Sequence, residues 1–334
     1  MPDCQSVFGR LAAEDIGEVR RNELLRDHCT WRIGGQADLL VQPRRAQHIS
    51  RILQLVAEVG TPLVTIGDGS NLLFDDEGVR GVVMRIGHAL SGFEIKGTRI
   101  RAQAGVWVPR LARAAGNAGL TGLEHTAGIP GTLGGLIFMN GGSRRRCVGE
   151  VVRSVDVVER DGRMRTLPAE ECRFSYRHSA FQTSGAIIVA AELQCSRAQP
   201  RRIRAEMLGI LRERRRKFPL DQPNSGSIFT SRPERDHTVG PPKKLIEDLG
   251  LKGLRIGDAQ VSAKHANFIV NLGGATSADV LELIRRLRAA IFEKAGFWIE
   301  CEVRYVQPAG RVVPAHEACQ LAQPRGTAPG MHRR

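Results

Sequence analysis

Cysteine is sparse and unpatterned in this chain. The seven cysteines, at positions 4, 29, 147, 172, 195, 301 and 319, form an odd set with no Cys-x-x-Cys pair. That argues against a disulfide framework and against a zinc cluster or other metal site, and reads as reduced thiols. Aromatic residues make up only 5% of the chain, too few for the stacking surfaces of a nucleic-acid module. No apolar run is long enough to span a bilayer, and Met1-Pro2-Asp3-Cys4 has no signal-peptide pattern. A cytoplasmic protein that touches no membrane is expected. Two phosphate-binding signatures are also missing. Gly67-x-Gly69 lacks the third glycine of the Rossmann fingerprint, and no Gly-Lys-Ser/Thr loop occurs.

Positive charge is abundant. Lys and Arg total 49 against 35 Asp and Glu, a formal charge of +14, with arginine concentrated at 144–146, 201–204, 212–217 and 285–288. Without interleaved aromatics, this balance suits an anionic small molecule such as a nucleotide diphosphate better than nucleic acid. A plainly solvated arginine surface is the alternative.

Patterning predicts an α+β protein in at least two domains, split near residue 200. Residues 44–59 have helical periodicity through Ile49, Ile52, Leu53 and Val56, ending at Gly60. Short strands are predicted over 62–66, 82–86, 92–96 and 99–104, then a helix over 109–119, then strands near 151–158 and 187–194. Beyond Pro200 come a basic helix over 201–217, a helix over 243–249, a strand over 269–271 and an amphipathic helix over 277–295. A strand from Trp298 to Val306 closes the domain. Residues 1–22 read as a flexible lead, and 308–334, rich in Pro, Gly, Arg and Ala, as a disordered tail.

Two glycine-rich segments carry the strongest chemical signal. Gly67-Asp68-Gly69-Ser70-Asn71 follows the apolar stretch 62–66, and Gly128-Ile129-Pro130-Gly131-Thr132-Leu133-Gly134-Gly135 leads to Met139-Asn140. Glycine lets backbone N–H groups crowd onto an anion, so two such loops fit a dinucleotide gripped from two sides. Tight turns between strands are the alternative. Arg177, in Phe174-Ser175-Tyr176-Arg177-His178-Ser179, could stabilise an oxyanion or be a surface turn residue. Ser227, in Asn224-Ser225-Gly226-Ser227-Ile228-Phe229, lies outside any Gly-x-Ser-x-Gly elbow and could donate a proton or be an ordinary turn serine. In Glu300-Cys301-Glu302 the two carboxylates would share one face of a strand, which by itself reads as surface. His265, beside Lys264, has no second ligand at metal spacing. It is either a structural histidine or a contact for a phosphate or carboxylate.

Taken together and in order, these segments, with Trp31-Arg32-Ile33-Gly34-Gly35 and Glu302-Val303-Arg304, resemble the UDP-N-acetylenolpyruvoylglucosamine reductase family over about residues 30–306. The resemblance implies an FAD-binding domain of the vanillyl-alcohol-oxidase type, over 23–198 in two subdomains split near 90. An α+β substrate domain would follow over 199–307. It implies FAD held non-covalently, since Gly67–Asn71 contains no histidine, and NADPH as co-substrate. The cofactor would contact Gly67, Asp68, Gly69, Ser70, Asn71, Gly128, Ile129, Pro130, Gly131, Thr132, Gly134 and Gly135. Ser227 matches the family's proton donor, and Arg177 and Glu302 the residues that assist it. Tyr176, Asn224, Gln260, Lys264 and His265 would meet a UDP-sugar substrate. The chain is similar to the shorter subtype without a tyrosine lid and is expected to be a monomer. It departs from the family's pattern at Ser143-Arg144-Arg145-Arg146-Cys147, at Arg232-Pro233 and at Asp258. Another FAD oxidoreductase of the same fold, or an anion-binding protein without catalysis, are the rival readings.

Overall fold

Most of the predicted periodicities become elements in a computed structural model that describes residues 4–319. Helix α1 (Cys4–Ala13) and strand β1 (Gly17–Leu24) open the chain. From Cys4 onward, therefore, the expected flexible lead is ordered. Val7 and Leu11, one helical turn apart, are buried with Ile16, and that apolar face packs on α2 (Ala46–Val59). Strand β1 pairs antiparallel with β2 (Gln36–Pro43). Next come β3 (Leu63–Ile66), β4 (Leu72–Phe74) and β5 (Val79–Arg85). The resulting sheet runs β1-β2-β5-β3, while β4 leaves it to pair elsewhere.

This sheet lies between two cores. Leu39 and Val41 of β2, with Val82 and Met84 of β5, face the first, and Leu40, Val79 and Val83 face the second. Successive side chains on a strand point to opposite faces, so covering both faces requires an almost unbroken apolar run. That is what Leu39-Leu40-Val41 and Val82-Val83-Met84 supply.

The first core continues through β6 (Phe93–Lys96), β7 (Arg99–Gln103), α3 (Val108–Asn117), the short β8 (Leu120–Thr121), α4 (Leu133–Phe138), β9 (Val152–Val158), β10 (Met164–Pro168), α5 (Phe181–Ser184) and β11 (Ile187–Gln194). Five of these strands form an antiparallel sheet in the order β10-β9-β11-β7-β6, with α4 against β7 and β11. The two-residue β12 (Ser196–Arg197) pairs with β8.

Helices α6 (Pro200–Lys217), α7 (Pro233–Val239) and α8 (Pro242–Asp248) follow. Beyond them lie the small sheet β13 (Arg255–Ile256), β14 (Ala259–Val261), β15 (Ile269–Asn271), and then α9 (Ser277–Ala295). Val280, Leu283, Ile284, Leu287 and Ile291 form the buried face of α9, each contributing about 2 kcal/mol by burial.

The closing strand is shorter than expected. Only β16 (Arg304–Val306) is regular, parallel to β4 and antiparallel to β17 (Val312–Pro314). Residues 298–303 are instead held by a single bridge between Cys301 and Phe229 and by the Glu302 N–H donating to Ile228 O at 2.8 Å. The tail is ordered as far as Cys319. Strand β17 and α10 (Ala315–Ala318) pack on β16 and α9 and bury Ala315, Ala318 and Cys319. Residues 1–3 of the expected lead and 320–334 of the expected tail lie outside the described residues. Among those described, no helix is long and apolar enough to cross a membrane, and no three His, Cys, Asp or Glu side chains are grouped to hold a metal.

Two features of this frame have measurable consequences. Asp76, beyond β4, accepts from the Ser277 N–H at 2.9 Å and from its hydroxyl at 2.8 Å, capping α9 across the junction of the two halves. Asp76→Ala should lower unfolding stability by about 1–3 kcal/mol. An unchanged urea midpoint would mean that this cap adds nothing. His125 is fully buried, neither ring nitrogen has a partner, and burial, reinforced by Arg146, pulls its pKa down to about 4. Between pH 4 and 6.5 the unfolded chain binds this proton and the folded one does not. Stability should therefore fall as pH drops through that window, by about 3 kcal/mol at its lower end. Urea titrations at pH 7 and pH 4.5 should show a smaller acid loss in His125→Leu than in the parent. An equal loss would exclude His125 as its source.

Candidate active site

A cavity of about 1200 Å³ runs between the two halves of the molecule. Its walls include stretches remote in sequence, among them loop 67–72, loop 128–135, segment 177–188 and segment 218–227, with Glu302 and Arg304 reaching in from the C-terminal segment. The space exceeds what a drug-sized ligand fills and suits a dinucleotide lying beside a second large molecule.

The two glycine loops pack on each other at one end. A β-carbon on Gly67 would stand 2.3 Å from Thr132 Oγ1, so only glycine allows the loops this close. Gly69 is left-handed, with φ +61, and a β-carbon there would meet His28 O at 2.2 Å. The backbone N–H groups of residues 67–71, and those of Gly131 and Thr132, find no acceptor among the described residues. Seven unsatisfied donors around one cavity form a cradle for an anionic group, and a diphosphate fits it. All twelve residues expected at the cofactor line this cavity.

Arg177, Ser227 and Glu302 line the same cavity. Arg177 occupies a tight turn in which Ser175 and His178 exchange backbone hydrogen bonds of 3.1 and 3.0 Å. Its φ is +55, a conformation bulky residues rarely adopt. The turn is clamped by Asn140, whose Nδ2 donates to Ser175 O at 2.7 Å, and by Gln182, whose Nε2 donates to Arg177 O at 3.0 Å. Arg177 Nε lies 2.8 Å from Glu302 Oε1, and its guanidinium donates to Gly142 O at 3.2 Å. The Nε contact is an ion pair by distance, but its N–H is not directed at the carboxylate as in a hydrogen bond. Burial lifts the Glu302 carboxyl above the ordinary carboxylate range despite the opposing arginine. For Arg177 burial works to lower the pKa, but Glu302 and Tyr176 together with Cys147 more than offset it, and the guanidinium holds its proton more tightly than usual.

Ser227 is set by its loop. Asn224 donates to Pro219 O at 3.0 Å and Gln222 O at 2.8 Å and accepts from Gly226 N, whose φ is +84. Asn267 then grips both backbone groups of Phe229. The Glu302 N–H bond to Ile228 O brings the serine and the carboxylate onto adjacent segments. The Ser227 hydroxyl, half-exposed to the cavity, is left without a protein partner among the described residues.

The residues expected at the substrate divide. Asn224 lines the cavity, but its amide is committed to the Ser227 loop. Tyr176 is half-exposed outside the lining, with its ring against the Arg177 guanidinium. Gln260, Lys264 and His265 do not reach the cavity. Gln260 donates to Gly253 O, and Lys264 to Arg215 O at the end of α6. His265 packs edge-on against Phe218 and Phe268, ring centroids 5.1 and 4.8 Å away, and burial pulls its pKa to about 4. It packs against the two phenylalanines that line the wall.

Sequence reasoning missed three polar residues at the wall. Arg214 lies against Gly128 and over the Phe218 ring at 4.9 Å, without an ion-pair partner among the described residues. Its seven-residue spacing from Met207 and four-residue spacing from Ile210 put it on the inner side of α6, but the surrounding basic run hides it. Arg304 donates to Gln182 Oε1 at 2.6 Å. Arg304 stood inside a recognised motif without a role, and nothing local marks Gln182.

Comparisons with known proteins agree with this geometry. Residues 37–168 match the model of an FAD binding domain, and residues 218–306 that of the UDP-N-acetylenolpyruvoylglucosamine reductase C-terminal domain. UDP-N-acetylenolpyruvoylglucosamine reductase 1 of Corynebacterium glutamicum is 44% identical over 321 residues, 93% of this chain and 96% of its own. The reductase of Moorella thermoacetica is 42% identical over 90% of this chain and 97% of its own. The crystal structure of the Thermus caldophilus reductase superposes with a TM-score of 0.74 at 34% identity, covering 86% of this chain and 98% of that one. The fold is α+β, an FAD-binding domain of the vanillyl-alcohol-oxidase type followed by the reductase C-terminal domain. By sequence and by fold alike, the chain belongs to the UDP-N-acetylenolpyruvoylglucosamine reductase family.

Proposed function

We propose that the chain is a cytoplasmic, FAD-dependent enzyme that reduces UDP-N-acetylglucosamine enolpyruvate to UDP-N-acetylmuramate with NADPH, a step of peptidoglycan precursor synthesis. The observation that carries this reading is the meeting of Ser227, Glu302 and Arg177 in a cavity that also runs beneath both glycine loops. The free N–H groups of residues 67–71, Gly131 and Thr132 would hold the FAD diphosphate. With FAD bound there, the flavin would supply the hydride chemistry, recharged by NADPH, for reduction of the enolpyruvyl double bond at its terminal carbon.

This chain's own residues manage the charge and the proton. Arg177, permanently cationic and fixed by its clamped turn, meets the negative charge that develops on the substrate carboxylate. The Ser227 hydroxyl, uncommitted to any protein group, gives its proton to the adjacent carbon. Glu302 supports that transfer from the neighbouring segment, where burial raises its pKa against the pull of Arg177. Arg214, desolvated and without a carboxylate, suits the diphosphate of the UDP-sugar.

Rapid mixing under anaerobic conditions separates the half-reactions. In Ser227→Ala, NADPH should still bleach the flavin, while reoxidation by the enolpyruvyl substrate should slow by about 10²–10⁴-fold. Equal slowing of both would remove Ser227 as proton donor. Failure of the parent protein to recover its flavin absorbance on adding this substrate would reject the substrate itself. Arg214→Ala should raise the KM for the UDP-sugar at least about tenfold with little change in kcat, the pattern of lost uniform binding. An unchanged KM would free Arg214 of that role.

A further inference from the structure

Arg304 does not belong to the trio that handles the substrate proton, yet it is placed with equal care. Its backbone N–H donates to Asn71 O at 3.1 Å, which ties it to the first glycine loop. Its guanidinium lies 5.7 Å from the centroid of the Phe138 ring, at the end of the helix that follows the second loop. One arm donates to Gln182 Oε1 at 2.6 Å. Gln182 is itself fixed, with Nε2 donating to Phe138 O at 3.1 Å and to Arg177 O at 3.0 Å. The Nε of Arg304 is buried and has no acceptor, and no ion-pair partner lies beside the group among the described residues. A desolvated cation with an unmet N–H favours a ligand that brings an acceptor.

Position identifies that ligand. Arg304 is joined by its backbone to Asn71 of the first glycine loop, lies beside Phe138 beyond the second, and shares Gln182 with Arg177, so it links the cradle to the Arg177–Glu302 pair. What lies between the diphosphate cradle and the reacting centre is the ring system of the cofactor. We propose that Arg304, aimed by Gln182, binds the flavin ring at its N1–C2 carbonyl edge and stabilises the negative charge the ring carries when reduced. This rests on the FAD reading above. A fixed cation there favours the reduced ring over the oxidised one and so raises its reduction potential. Gln182 acts as a positioning residue, and its second bond, to Arg177, ties the aim of one arginine to that of the other.

The test is the two-electron potential of bound FAD, measured by equilibration with a reference dye in the full-length holoprotein, with sulfite affinity as a second readout. Arg304→Met should weaken the preference for the reduced ring at least about tenfold, a fall of about 30 mV for a two-electron couple. It should weaken sulfite binding to the flavin by a similar factor. Arg304→Lys, which keeps the charge, should recover most of both. An unmoved potential in FAD-loaded Arg304→Met overturns the proposal, and a rise in substrate KM alone would assign Arg304 to the substrate. If Arg304→Met takes up no FAD, Gln182→Met decides, because it leaves the cation in place but unaimed. An unmoved potential there also overturns the proposal. Parent protein that takes up no FAD overturns the cofactor reading along with this one.

Discussion

Strand β16 lies parallel to β4 in a register that sets Arg304 against Leu72 and Val306 against Phe74, and the site depends on this pairing. The Asn71 side chain donates to Glu302 O across 231 residues of sequence, and Asn71 O accepts from Arg304 N. The last glycine-loop residue is thereby fixed to the segment that carries the carboxylate. A slip of one residue would turn Glu302 and Arg304 away from the cavity and bring Val303, now in the core, into it. On its other side the same segment bonds to Ile228 and so locates Ser227. Backbone hydrogen bonds thus position Ser227, Glu302 and the first glycine loop relative to one another, while the side chains of Asn140 and Gln182 hold the Arg177 turn.

Against that rigid join, the Arg177–Glu302 pair is a costly arrangement. Both partners are largely withdrawn from water, and in such surroundings the attraction between two ions roughly offsets the cost of stripping their hydration. Arg177 also holds a left-handed backbone, worth about 1–3 kcal/mol of strain. An apolar pair on ordinary backbone would serve stability at least as well. The expense makes sense if charge is needed at that point during the reaction, and the clamps of Asn140 and Gln182 on the turn are what let it persist.

Elements with a strong period were legible in the sequence. Helices α2, α6 and α9 lie within a residue or two of where their apolar stripes predict them, and the glycine loops announced themselves because close backbone approach excludes other residues. What escaped had physical reasons to be quiet. Strand β1 is an edge strand with one face toward solvent, so Glu18, Arg20 and Arg21 made it look like a loose lead. Residues 298–303 alternate in burial as a strand would, with Ile299, Cys301 and Val303 inside, yet they join no ladder because their partner is a single bridge. Lys264-His265 looked like a contact for an anion. The aromatic neighbours that claim the imidazole, Phe218 above all, come from a different stretch of chain and cannot be read locally.

The surplus of arginine shows why counting charges says little about where they act. Most of the arginine ion pairs lie on the surface, such as Arg10 with Glu58, Arg51 with Glu14 and Arg285 with Glu282, where each contributes about 0–1 kcal/mol. Removing many of them would alter solubility more than chemistry. Arg214 and Arg304 differ in kind. Burial pulls the pKa of each below the usual arginine value, opposed only by Glu317 in the case of Arg304, and neither has a carboxylate at ion-pair distance among the described residues. An anion bound beside either would offset that cost and so couple stability to ligand binding. By the same argument a well-paired arginine in this wall would bind less, because an internal carboxylate would already have met its charge. Two buried arginines with no carboxylate at ion-pair distance among the described residues, in a chain that pairs its arginines freely elsewhere, favour an anion in this cavity.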